Sequence, residues 1–167
     1  IMLSADGQHE SDILSIVGAS AALTISDIPF NGPLGAVRVG RVAGRWVANP
    51  THDEMKESDI DLIYVGLEDD KMVMIEGSAA EVSEADFAAA MEFGQEHVRA
   101  IIRIQRELQA LIGKPKTVPV LSIPDPALVE SVRSRVQAQL HEAMLQPGKK
   151  ERQAQVDQIT AQAIEAE

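Results

Sequence analysis

Residues 36–48, AVRVGRVAGRWVA, form the stretch from which the fold of this chain can be predicted. Valine alternates with other residues up to position 42, which is the period of a half-buried β-strand. Ala43-Gly44 follows as a turn, and residues 45–48 can return beside the first strand. The stretch therefore predicts a β-hairpin.

The residues on either side of this hairpin predict further strands and several helices. Two more strands are expected at 61–66 and 71–76, joined by an acidic turn, Glu68-Asp69-Asp70. A small-residue helix is predicted over 11–27, and a helix opened by a capping-box-like pair, Ser83 and Asp86, is expected to end at Gly113. The predicted fold class is α+β, a mixed sheet with long helices in a partial domain, followed by an all-α part.

Three prolines divide the chain after its long helix. We predict a first domain over residues 1–113, a linker over 114–124 and a helical region over 125–167. In the helical region, Asp125 is expected to cap a helix that has Pro126 at its first position. A last helix is predicted over 151–167.

The composition restricts the possible functions. The net charge is −11, and residues 1–112 hold 19 acidic and 8 basic side chains. Since nucleic-acid affinity comes largely from Lys and Arg, the charge alone does not predict an RNA-binding surface. The chain has no cysteine, which excludes disulfides and thiolate metal sites and fits a cytoplasmic location. No apolar run is long enough to predict a membrane span, and the two ends suggest a piece of a longer protein.

The densest polar stretch, residues 49–61, is the first candidate site. Asp53, Asp59 and Asp61 could gather a divalent cation, because Mg²⁺ favours carboxylates together with substrate phosphate. Their spacing fits no fixed metal motif, so a solvated acidic loop is favoured on spacing alone.

Residues 6–10, DGQHE, are the second candidate, in which His9 could act as a base or bind phosphate. A lone histidine near the start of a helix is more often structural. The remaining histidines, His52, His97 and His141, show no partner pattern. Residues 31–35 lack the Lys-Ser/Thr pair of a nucleotide-binding loop.

Several stretches resemble one known family. Residues 4–9, 18–23, 28–33 and 35–40 read SADGQH, GASAAL, IPFNGP and GAVRVG, and residues 49–62 and 73–77 continue the similarity. Together they resemble the C-terminal part of the first RNase PH-like core domain of the bacterial polynucleotide phosphorylase family. The resemblance extends to about residue 113, and residues 114–167 resemble, more weakly, the start of that family's all-helical linker domain.

The resemblance implies a function that this chain does not perform alone. Family members are homotrimeric rings in which inorganic phosphate, assisted by Mg²⁺, releases nucleoside diphosphates from the 3′ end of RNA. It places the active site in a second core domain and RNA binding in parts outside this chain, and it makes degradosome proteins possible partners. We therefore expect no catalytic residue and no metal ligand here.

The resemblance also implies a degenerate site in the polar stretch. RNase PH-type sites carry paired aspartates there, and Asn49 stands at the first position while Asp53 keeps the second. An asparagine cannot supply the charge that a metal needs. Asn49, Asp53 and Asp59 are thus predicted as the remnant of a site.

Two alternatives remain open. The chain could be an active metal-dependent enzyme that uses Asp53, Asp59 and Asp61. It could also be a stand-alone interaction module that binds partners through its helices.

Overall fold

The computed structural model describes residues 2–166, which contain five helices and four strands. In chain order these are α1 Asp12–Ile25, β1 Gly35–Val42, β2 Arg45–Ala48, α2 His52–Lys56, β3 Ile60–Gly66, β4 Met72–Ala79, α3 Glu84–Ile112, α4 Pro126–Met144 and α5 Lys149–Glu165. The predicted α+β class is confirmed.

The four strands form one sheet in the order β2-β1-β3-β4. Every neighbouring pair is antiparallel, with Val39 opposite both Ala48 and Leu62, and Leu62 opposite Gly77. The expectation of a mixed sheet is therefore wrong for the described strands. β1 and β2 are joined by two residues and β3 and β4 by five, which is too short for the long crossover that a parallel pair needs.

Helices cover the inner strands of the sheet on its two faces. On one face, α3 packs against a core of Val37, Val39, Leu62, Tyr64 and Val98 among others. On the other face, Ile13 of α1 packs with Ala36 and Val65. This alternation follows from strand geometry, because successive side chains point to opposite faces.

The long helix α3 begins as predicted, but only half of the predicted capping box is present. The side chain of Ser83 accepts a hydrogen bond from Asp86 N at 3.1 Å, whereas the Asp86 carboxylate pairs with Arg41. The buried face of α3 also contains Gln95 and Gln105, which the sequence analysis did not place in the core.

Both glutamines form buried polar links. Gln105 accepts a hydrogen bond from Ser20 Oγ at 2.7 Å and donates to Leu34 O at 2.9 Å. Gln95 accepts from the Tyr64 hydroxyl and donates to Leu67 O. The pairing satisfies polar groups that would otherwise be buried without a partner.

Strand β4 is the outer strand on one side, and it is exposed along its whole length. Its residues 72–75, MVMI, are all large and apolar, and each is at least a third exposed. Both faces of this strand therefore remain open in the described part of the chain.

The chain divides into two compact units, Ile1–Pro119 and Val120–Glu167. The division falls inside the predicted linker. In the second unit, α4 and α5 pack on each other, and Asp125 caps α4 by accepting a hydrogen bond from Ala127 N at 2.7 Å. Across the described residues, every helix is too short or too polar to traverse a lipid bilayer.

Candidate functional site

Asn49 follows strand β2, and its side chain supports the sheet. Its backbone N–H donates to Arg38 O at 2.7 Å, and its Oδ1 accepts from Arg38 N at 2.9 Å. Its φ of +50° lies in the left-handed region, which asparagine tolerates better than most residues. The amide oxygen of Asn49 is thus engaged with the backbone of β1.

Asp53 lies on the short helix α2, which Thr51 and Glu54 begin with a complete capping box. The Asp53 carboxylate accepts a hydrogen bond from Lys56 Nζ at 2.7 Å and is otherwise directed into solvent, since its side chain is 91% exposed. The hydrogen bond and charge of Lys56 lower the pKa of Asp53.

Asp59 is paired with Arg41 of β1. Arg41 Nε donates to Asp59 Oδ1 at 2.9 Å, and Nη2 donates to Oδ2 at 2.5 Å, which makes a bidentate pair. Arg41 also pairs with Asp86 at 3.1 Å, and its guanidinium lies 5.3 Å from the ring centroid of Trp46. The hydrogen bond from Arg41 lowers the pKa of Asp59.

Asp61 is paired with Arg38, whose side chain is only 13% exposed. Arg38 Nη1 donates to both Asp61 oxygens, at 2.6 and 2.7 Å, and Nη2 donates to Asp12 of α1 at 2.6 Å. Burial lowers the pKa of Arg38, but the two carboxylates outweigh burial, so that the pKa is raised overall. Arg38 therefore joins α1 to the sheet.

The predicted site residues do not share one pocket. Asn49 lines a pocket of about 280 Å³, whereas Asp59 and Asp61 line another of about 500 Å³. Asp53 is among the lining residues of neither. Within residues 2–166, no group of three or more histidine or acidic side chains is arranged to hold a metal ion.

Three residues of the second candidate, Asp6, His9 and Glu10, line the same pocket as Asn49. Asp6 Oδ1 accepts hydrogen bonds from the N–H groups of Gln8 and His9, and Asp6 Oδ2 lies 2.6 Å from His9 Nδ1. The hydrogen bond with His9 is the largest cause of a lowered pKa at Asp6. His52 N donates to Gln8 O at 2.8 Å, so this loop is attached to α2.

The other two histidines lie elsewhere. His97 is on α3, where its Nδ1 is 2.9 Å from Phe93 O, and His141 is on α4 in the second unit. Neither lines the two pockets described above.

Two arginines of β1 organise this region and were not predicted as site residues. In the sequence, Arg38 and Arg41 stand only among the residues that alternate with the valines of β1, although their charge offers a signal. The register places Gly40 opposite Asp61, so that Arg38 lies diagonal to it. Diagonal neighbours lie within reach of a long side chain, but such a pairing requires knowledge of the register.

The comparisons with known proteins extend over both units. The 3′ exoribonuclease family, domain 2, matches residues 32–97, which contain all four strands. The polyribonucleotide nucleotidyltransferase of Methylacidiphilum infernorum is 46% identical over 98% of this chain. Those of Geotalea uraniireducens and Akkermansia muciniphila are 43% and 47% identical over 99% and 93% of it.

The chain matches a part of polyribonucleotide nucleotidyltransferases over nearly its whole length. The predicted resemblance to polynucleotide phosphorylase is therefore confirmed, since the two names denote the same activity. The chain covers 24%, 24% and 22% of the three relatives, about a quarter of their length. The matches to these relatives also extend over α4 and α5, for which the resemblance seen in the sequence was weaker.

Proposed function

We propose that this chain is a supporting part of a phosphorolytic 3′-to-5′ exoribonuclease that degrades mRNA, and that it has no catalytic centre of its own. The observation that carries this proposal is the pairing of every candidate carboxylate with a different cation. Asp53 is held by Lys56, Asp59 by Arg41 and Asp61 by Arg38. These carboxylates serve as structural partners of the sheet and of α2.

The candidate aspartates in the described part of the chain do not fit Mg²⁺. A magnesium site needs carboxylates that converge on one point with room for water and phosphate, whereas Asp53 is apart from the pocket that Asp59 and Asp61 line. The amide of Asn49 is engaged with the backbone of Arg38. The alternative of a metal-dependent enzyme that uses the three aspartates has no support from this geometry.

In the proposed protein, phosphorolysis takes place outside this chain. Inorganic phosphate would attack the terminal linkage of RNA with Mg²⁺ in a second core domain, and other parts would bind RNA. The acidic balance supports this division, because a net charge of −11 disfavours a phosphate backbone. The absence of cysteine fits the proposed cytoplasmic location.

Assembly into a homotrimeric ring belongs to the same proposal, and docking of degradosome proteins is a further expectation. The support is the open strand β4, whose apolar residues 72–75 lie at the edge of the sheet. Exposed apolar surface of this kind typically marks an interaction site. Light scattering of the whole protein should give the mass of a trimer, and a stable monomer at high concentration would contradict the ring.

The absence of catalysis can be tested on this chain directly. We expect no release of nucleoside diphosphate from poly(A) in the presence of phosphate and Mg²⁺, beyond the signal of a protein-free control. Asp53→Ala, Asp59→Ala and Lys56→Ala variants should give the same result. Release that Asp53→Ala or Asp59→Ala abolishes, and Lys56→Ala preserves, would refute the proposal.

One observation favours a second candidate function for the helical unit. α4 and α5 enclose an apolar groove of about 480 Å³, lined by Leu128, Val132, Val136, Leu140, Ile159, Thr160, Ala163 and Ile164. Such a groove suits an amphipathic helix of another protein. Binding of a partner by residues 125–167 without the rest of the chain would support this interaction module, and loss of that binding in Val136→Asp would locate it in the groove.

A further inference from the structure

Residues 114–117, which follow the C-cap of α3, are hydrogen-bonded to the end of another helix. Gly113 ends α3 by donating to Gln109 O at 2.8 Å. Directly afterwards, Lys114 N donates to Ile25 O at 2.9 Å, and Thr117 N donates to Asp27 O at 2.8 Å. The Thr117 hydroxyl donates to the same oxygen at 3.1 Å. Residues 114–117 thus follow the C-terminal end of α1, although they are far from it in sequence.

Lys116 makes the central contact of this segment. Its Nζ donates to the carbonyl oxygens of Leu23, Thr24 and Ser26, at 2.7, 3.0 and 2.7 Å. A lysine ammonium has three donors, and all three are used here. The side chain is therefore saturated by backbone carbonyls of a single helix end.

The C-terminal end of α1 requires such a partner. The last carbonyl oxygens of a helix accept no hydrogen bond from the N–H groups of that helix, and they carry a partial negative charge that a cation stabilises. The last turn of α1 contains no basic residue of its own. Lys116 supplies the missing cation from a position 90 residues or more along the chain.

The chain becomes largely exposed immediately beyond this segment. Val118 is 92% exposed and Val120 is 101% exposed, and residues 118–125 form no helix or strand. The attachment therefore stops at Thr117.

We infer that residues 114–117 form a strap that closes over the C-terminal end of α1, with Lys116 as its lock. The exposed segment between the two units then begins at Val118 rather than at Lys114. Opening the strap would add four residues to that segment, which is about 13 Å of extended chain at roughly 3.3 Å per residue. The strap is thus a built-in control of the reach of the segment that follows it.

Residue-resolved amide hydrogen exchange on the full chain tests this inference. In the wild type, after correction for intrinsic rates, the amides of Lys114 and Thr117 should exchange at least about tenfold more slowly than those of Val118 and Val120. Lys116→Met keeps the length of the side chain and removes its donors, so it should abolish this difference.

A matched control is available in the same segment, because Lys114 uses its backbone N–H and not its side chain in the contacts above. Lys114→Met should preserve the slow exchange, and slow exchange in β1 and β3 will confirm that each variant is folded. The inference is overturned if the wild-type amides of Lys114 and Thr117 exchange as fast as that of Val118. It is also overturned if folded Lys116→Met retains full protection.

Discussion

Replacement of Arg38 by methionine tests whether the buried arginine holds α1 to the sheet. Arg38 donates hydrogen bonds of 2.6 and 2.7 Å to Asp61 and of 2.6 Å to Asp12, and its side chain is only 13% exposed. Methionine keeps most of the apolar stem, so the change removes the charge and the donors while it preserves much of the packing.

The expected loss of stability depends on how exposed the two aspartate partners of Arg38 are. Removing one member of a fully buried ion pair costs about 3–5 kcal/mol. Here the side chains of Asp12 and Asp61 are 39% and 35% exposed, so both can be rehydrated in the variant. We therefore expect the free energy of unfolding to fall by about 2 kcal/mol, between the buried and the surface values.

The assay is urea denaturation followed by the fluorescence of Trp46, the only tryptophan of the chain. Trp46 is on β2 and packs against the core beneath α3, so it reports on the first unit. With a slope of about 2 kcal/mol per molar urea, the loss corresponds to a midpoint lower by about 1 M.

The control is Arg45→Met, on the same hairpin, where the arginine is exposed. A surface substitution of this kind should change the stability by less than about 0.5 kcal/mol. A double-mutant cycle with Asp61→Asn should give a coupling of about 1 kcal/mol. An Arg38→Met midpoint within about 0.2 M of the wild type would refute the structural role of Arg38.

Two further predictions use the same fluorescence assay. Hydrogen bonds from Arg41 lower the pKa of Asp59 and of Asp86. The stability that these pairs add is present above the unfolded pKa of about 3.9 and is lost as the pH falls through the lower folded pKa values. An Arg41→Met variant should therefore lose less stability than the wild type below about pH 4, and an equal loss in both proteins would contradict this. Gly77→Ala should destabilise the first unit by about 1–3 kcal/mol or more, because a Cβ at Gly77 would meet the backbone oxygen of Asp61. The matched change Gly18→Ala, where a Cβ meets no atom within 4 Å, should not destabilise the unit. Equal stability of the two variants would contradict this prediction.

The hairpin and the long helix could be predicted from the sequence because their signals are local. Valine alternation marks β1, and Ser83 and Gly113 lie at the two ends of α3, as the structure confirms. The pairing of β1 with β3 could not be derived in the same way, because β2 and α2 lie between them in the chain and their register depends on contacts between distant residues.

The candidate site was predictable as a set of residues but not as an arrangement. The sequence placed Asp53, Asp59 and Asp61 in one polar stretch, whereas the structure gives each a separate basic partner. The assignment of Asn49, Asp53 and Asp59 as a degenerate remnant remains a prediction. The role of Lys116 had no sequence signal, because its partners are carbonyl oxygens, which every residue possesses.

The exposure of β4 has a consequence for the order in which the sheet comes apart. This strand is attached to one neighbour, β3, and its side chains add little buried surface. Most apolar groups of β4 already contact water, so detaching this strand exposes few more. The free energy of this local opening therefore lies well below the free energy of global unfolding. Met72–Ala79 should fray while β1 and β3 remain paired, which leaves the interior of the domain intact when its outermost strand detaches.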